Sequence, residues 1–241
     1  MLISVISWGL LTVSWASRAE AASEDSIDSI QPYIDRAIER INEFTLDNGI
    51  KFIVMERHQA PVVSFMTYVD VGAAEEPHGQ TGAAHYLEHL AFKGTERVGT
   101  TDYDAEKAVL TRLDTLFDQI QAAKAAGESA ELTAPLLAEF AAVRQEASNY
   151  VIRNHLPQIV QKAGGVGLNA TTSADATRYF YSFPANKLEL WMSLESERFL
   201  TPIFREFYEE KDVILEERRM RVDNSPIGKM IEVFLDKSFD V

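Results

Sequence analysis

Two histidines four positions apart, with a glutamate just before the second, open the argument: His85-Tyr86-Leu87-Glu88-His89 must be helical if its polar side chains are to act together. On a helix, residues four apart share a face, so both imidazoles can offer a neutral ring nitrogen to one cation while Glu88 lies on the neighbouring stripe. The flanks agree. Gly82-Ala83-Ala84 reads as a small-residue entry, and Leu90-Ala91-Phe92-Lys93-Gly94-Thr95 as the end of an apolar helix with a glycine stop. A metal centre that keeps a position open for water takes three protein ligands, so two histidines leave the set one short. A second ligand-bearing element must therefore pack against this helix, which constrains the fold more tightly than composition does.

The chain has no cysteine, which removes disulfides and thiolate ligands and leaves histidines and carboxylates. The richest source is the helical pattern from Phe207 to Val222, with Glu209, Glu210, Glu216 and Glu217. Glu210 and Glu217 lie two turns apart on one face; Glu209 and Glu216 form a second pair rotated away. Pattern alone does not choose between the pairs. A solvated acidic face is the ordinary meaning of such a run, and it is the reading adopted for Glu209 and Glu216. With zinc bound to two histidines and a carboxylate, Glu88 is placed to take a proton from an activated water.

At 241 residues, 46% hydrophobic and 25% charged, the chain can bury one substantial core. A net charge of -14 argues against nucleic acid and anionic membrane as partners, since both require basic patches. Residues 1–22 read as a signal peptide: Leu2 to Ala16 is apolar and uncharged, and Arg18-Ala19-Glu20-Ala21-Ala22 offers a small-x-small cleavage pattern. A positively charged start is missing, so an uncleaved membrane anchor is the alternative. With the leader removed, no stable membrane insertion is expected.

Phe44 to Leu46 and Ile50 to Met55 flank Asp47-Asn48-Gly49, a hairpin signal because Asn-Gly tolerates positive φ. Val62 to Val71 and Thr177 to Phe183 alternate as further strands. Helices are expected at about Ala83 to Phe92, Tyr103 to Ala126, Glu131 to Val151, Asn186 to Phe199 and Phe207 to Val222, after a polar, partly helical entry segment from Ser23 to Arg40. This interleaving lacks a strict βαβ repeat and predicts an α+β fold, a largely antiparallel sheet covered by helices.

The order His-x-x-Glu-His, inverted relative to the commoner zincin motif, resembles the inverzincins. Further stretches extend the resemblance to the N-terminal catalytic half of the pitrilysin/insulinase metallopeptidase family: Leu46-Asp47-Asn48-Gly49-Ile50, Gly72-Ala73-Ala74-Glu75-Glu76, Gly164-Gly165 with Leu168-Asn169-Ala170-Thr171, and Lys211-Asp212-Val213-Ile214-Leu215-Glu216-Glu217. The resemblance implies a zinc-dependent endopeptidase with one Zn²⁺ per chain, held by His85, His89 and Glu217, with Glu88 as general base and Glu210 orienting a ligand or water. It also implies that Asn169 and Ala170 belong to an edge strand to which an extended peptide substrate adds as a further strand. An Asn closing a turn is the simpler reading of Asn169, and the Asn-x-Thr sequon it opens is read as coincidence. Periplasmic or secreted localisation is expected, as is a second homologous half on the same or another chain. The pattern around Met230 to Val241 stops in mid-element, as a fragment would. One departure from the family is an extra charged, alanine-rich segment at about 113–156, read as an inserted helical hairpin turning near Gly127. A non-catalytic peptide-binding or partner subunit is the alternative function, and a structural zinc module with four protein ligands ranks last.

Overall fold

The structure is a computed structural model that describes residues 21–77 and 79–238. The expected leader lies outside these residues except for its last two positions, and so does the chain end at Val241. The chain divides into two compact units, Met1–Ala60 and Pro61–Val241. Among the described residues no helix is long and apolar enough to cross a membrane.

The first unit holds helix α1 (Ala21–Ile38) and the hairpin β1 (Ile41–Thr45) and β2 (Lys51–Met55), paired antiparallel with Thr45 opposite Lys51. Phe44 and Phe52 stack across it at 5.1 Å. The turn differs from the expectation in one respect. Only Gly49 is left-handed, at φ 89°, and its N–H donates to the Leu46 carbonyl, while the Asn48 side chain instead accepts from the Ile50 N–H at 3.1 Å.

The second unit is built on a three-stranded antiparallel sheet of order β3-β5-β4, with β3 at Val62–Val69, β4 at Val166–Thr172 and β5 at Thr177–Pro184. In β5 every second residue from Thr177 to Phe183 is buried, the pattern of a strand with one face on a core. Tyr181 and Phe183 pack there with Val98, Leu156, Val160 and Leu194. Complete burial of a side chain such as Phe183, 1% exposed, contributes roughly 2–3 kcal/mol. Helices α2 (Ala83–Leu90), α5 (His155–Lys162) and α6 (Leu188–Leu200) pack on the sheet. α7 (Phe207–Arg218) continues into a π-helical turn at Arg219–Asp223, and α8 (Pro226–Ser238) follows.

Between α2 and the sheet's second half stand α3 (Tyr103–Ala125) and α4 (Ala130–Ser148), an antiparallel pair that turns at Gly127. Asp102 caps α3 through Ala105 N–H, and Ser129 caps α4 through Leu132 N–H. The pair has its own core of Val109, Leu113, Leu116, Val143 and Ala147. The limits 113 and 156 read from the sequence fall inside α3, which starts ten residues before Leu113, and inside α5. Two elements were not foreseen from periodicity: α5, and β4, whose Val166-Gly167-Leu168 start is too glycine-rich and bulged to alternate.

Burial pushes the Tyr179 hydroxyl up to about 12, with the charges of Glu88 and Glu195 adding to it and Arg198 opposing. Because the folded value is raised, the stabilising contribution is complete below the unfolded value near 10 and is lost as pH rises toward 12. Tyr179 is 4% exposed and keeps its ring under Arg198 in a Phe variant, so Tyr179→Phe should retain on the order of 2 kcal/mol more stability at pH 12 than at pH 9, relative to wild type. Urea melts across that range measure it; parallel pH profiles for the two proteins would contradict it.

Candidate metal centre

The local sequence builds α2 in an unusual way. Gly82, at φ 98°, has no side chain to cap the helix, and the carboxylate of Glu76 reaches across instead, accepting from Gly82 N–H at 2.6 Å and Ala84 N–H at 2.7 Å. An anion at a helix N-terminus also complements the helix dipole. Glu76 fixes the start of α2 one turn before its polar residues.

His85 and His89 then meet edge to face, with ring centroids 4.8 Å apart at 88°. α7 packs against α2 and brings in Glu217, whose Oε2 lies 3.9 Å from His85 Nε2 and whose Oε1 lies 3.9 Å from His89 Nε2. One donor atom from each of the three residues falls within 4.8 Å of the others. Two donors on one zinc stand between about 3.4 Å, for tetrahedral angles, and about 4.2 Å, so these need only small side-chain rotations to share an ion. All three side chains are partly buried.

Glu217 supplies the test of fit. Its Oε2 is shielded from solvent and has no hydrogen-bond partner; the Arg221 guanidinium stands 3.2 Å away but is not aligned to donate. A shielded carboxylate oxygen without a donor is costly, and a cation between it and the two imidazoles removes that cost. The donor set of two nitrogens and a carboxylate suits zinc.

Glu210, two turns before Glu217, is 9% exposed and accepts from His89 Nδ1 at 3.0 Å, which leaves Nε2 facing Glu217. That hydrogen bond lifts His89 above the ordinary imidazole range, against burial, and holds Glu210 below the ordinary carboxylate range, with Lys93 helping. A carboxylate on the far nitrogen of a ligating histidine fixes its tautomer and ring orientation. Glu209 and Glu216 point elsewhere, to Arg144 at 2.7 Å and Arg219 at 2.7 Å.

Glu88 sits beside the three and accepts a hydrogen bond from Thr172 Oγ1, at the end of β4. Asn169 and Ala170 lie on the same strand, at the sheet's edge opposite Phe180 and Tyr179. Asn169 is in an extended strand rather than closing a turn, and its Oδ1 accepts from the Ala170 N–H at 2.9 Å. Ala170 is buried against Ala91 and Tyr179. A recess of about 520 Å³ opens beside Glu88 and His89, with Phe92, Arg153 and Asn169 on its walls. Sequence reasoning missed Glu76, Lys93 and Thr172; the Glu75-Glu76 pair ahead of a capless helix start was the one available signal.

Residues 51–111, which include α2, match the family described as Insulinase (Peptidase family M16). The zinc protease PqqE of Helicobacter pylori is 27% identical over 198 residues, 81% of this chain and 32% of that protein. Residues 51–111 thus carry the likeness to the insulinase family. Protease 3 of Escherichia coli is 31% identical over 99 residues, 40% of this chain and 10% of the relative. A crystal structure of a protease from Helicobacter pylori superposes with a TM-score of 0.53 at 27% identity, over 78% of this chain and 33% of that one. The chain thus spans about a third of the length of the Helicobacter relative.

Proposed function

We propose that this chain is the metal-bearing part of a zinc-dependent endopeptidase. His85, His89 and Glu217 hold the ion, Glu88 is the general base, and extended peptide segments are the substrate. The observation that carries the proposal is the meeting of three donors from two helices around the unpartnered Oε2 of Glu217. When bound, zinc would acidify a water and polarise the scissile carbonyl. The chain's own residues do the rest. Glu88, steadied by Thr172, takes the proton of the attacking water and passes it to the leaving amine. Glu210 keeps the Nδ1–H of His89 engaged, so that Nε2 stays a lone-pair donor. The edge strand β4 offers its outer main chain to an extended peptide, near Asn169 and Ala170.

A second homologous half is proposed as partner, on the same or another chain; the length of the Helicobacter relative supports it. Export to the periplasm is proposed from the leader pattern.

The test pairs wild type with Glu217→Gln, each expressed in a bacterial host and recovered from the periplasmic fraction. About one zinc per wild-type chain is expected, lost in the variant, together with turnover of a quenched peptide by the wild type. Zinc without turnover would favour the partner-subunit reading, no zinc in either would overturn the metal site, and cytoplasmic retention with residues 1–22 intact would overturn export.

A further inference from the structure

Lys93 makes contacts that none of the roles above requires. It lies just past the end of α2, its side chain 19% exposed, and its Nζ donates to Glu206 at 2.9 Å and also to Glu210. The other oxygen of Glu210 is the one that takes His89 Nδ1. Meanwhile the Lys93 carbonyl accepts from Arg205 Nη1 at 3.0 Å. The two segments therefore grip each other reciprocally: the Arg205 side chain holds the Lys93 main chain, and the Lys93 side chain holds Glu206 and Glu210 at the start of α7. Glu206 adopts φ 52°, a left-handed conformation that a glutamate takes at some cost, and the Lys93 contact secures it there.

We infer that Lys93 is a positioning residue of the metal centre: by fixing Glu210 it keeps His89 turned with Nε2 toward the ion. This rests on the metal reading above. With both oxygens of Glu210 engaged, one by Lys93 and one by His89, Glu210 has none left to compete with Glu217 for the cation. Without the ammonium, the Lys93-side oxygen of Glu210 would be a carboxylate oxygen in a mostly buried position with no donor, and the side chain would turn away from His89 to find one. The imidazole would then lose the partner that sets its rotation.

The experiment measures zinc affinity, by competition with a chromogenic chelator, for the wild-type chain, Lys93→Met and Lys93→Arg, with visible spectra of the cobalt(II)-loaded proteins. Lys93→Met should bind zinc about tenfold more weakly and shift the cobalt d–d bands, and Lys93→Arg should return to within about threefold of wild type. A folded Lys93→Met with wild-type affinity and an unchanged cobalt spectrum would overturn the inference. If Lys93→Met does not fold, Lys93→Gln, which keeps a donor but no charge, should weaken zinc by about fivefold, and equal affinity there would overturn it too. A wild-type chain that takes up no zinc would defeat the metal reading itself, whereas zinc bound equally by wild type and variants would defeat only the role of Lys93.

Discussion

Glu88→Gln should slow peptide hydrolysis by roughly a thousandfold while leaving the zinc content of the chain unchanged. The amide has the shape of the carboxylate and its oxygen can still accept from Thr172 Oγ1, so the local structure should hold. What it lacks is basicity. Glu88 is not among the three residues whose donors converge, which separates its role from that of Glu217. Zinc analysis and a quenched-peptide assay on the same samples distinguish the outcomes. Retained hydrolysis would remove Glu88 from the role of base, and lost zinc would show that the residue holds the ion or the fold instead.

The largest effect expected on stability comes from Arg205→Met. Arg205 and Glu106 are each 1% exposed, and the guanidinium uses all its donors: Nε and Nη2 on Glu106, Nη1 on the carbonyls of Lys93 and Val98, and Nη2 on the carbonyl of Thr95 at 2.7 Å. The loop from Lys93 to Gly99 wraps around this one side chain. A Cβ on Gly94 would stand 2.0 Å from the Val98 oxygen, so the loop closes only with glycine, at φ 102°. Removing the guanidinium leaves a buried carboxylate and the carbonyls of Lys93 and Thr95 without donors, while Val98 keeps the Thr95 N–H, a loss of about 3–5 kcal/mol. Denaturant unfolding of the two proteins measures it. A loss below about 1 kcal/mol would mean that water or Lys107 replaces the arginine.

The helix bearing His85, Glu88 and His89 was legible because ligand spacing and helical period coincide. Glu217 was not separable from Glu210 by pattern, since seven residues return to the same face; the structure separates them by what each approaches, Lys93 and His89 Nδ1 for Glu210, the Nε2 atoms of His85 and His89 for Glu217. β3 and β5 were legible because they alternate, whereas β4 carries a bulge between Val166 and Asn169 that breaks its period. Gly165 had no visible reason in the sequence. In the fold a Cβ there would meet the Phe183 ring at 2.6 Å. Glu106 left a signal that went unread: it occupies the stripe continued by Val109, Leu113 and Leu116, and a charge on a buried stripe calls for a buried partner.

The placement of the proposed ligands on two helices has a topological consequence. α2 precedes the α3–α4 hairpin and α7 follows β5, so an ion shared by His85, His89 and Glu217 ties the ends of a loop of more than a hundred residues. Closing a loop of that size removes chain entropy from the unfolded ensemble worth roughly 4–5 kcal/mol in the treatment used for disulfides. With zinc bound as proposed, a chain without cysteine would gain a cross-link that a chelator can undo, and the reagent removing the ion would also set how far the backbone can wander once unfolded.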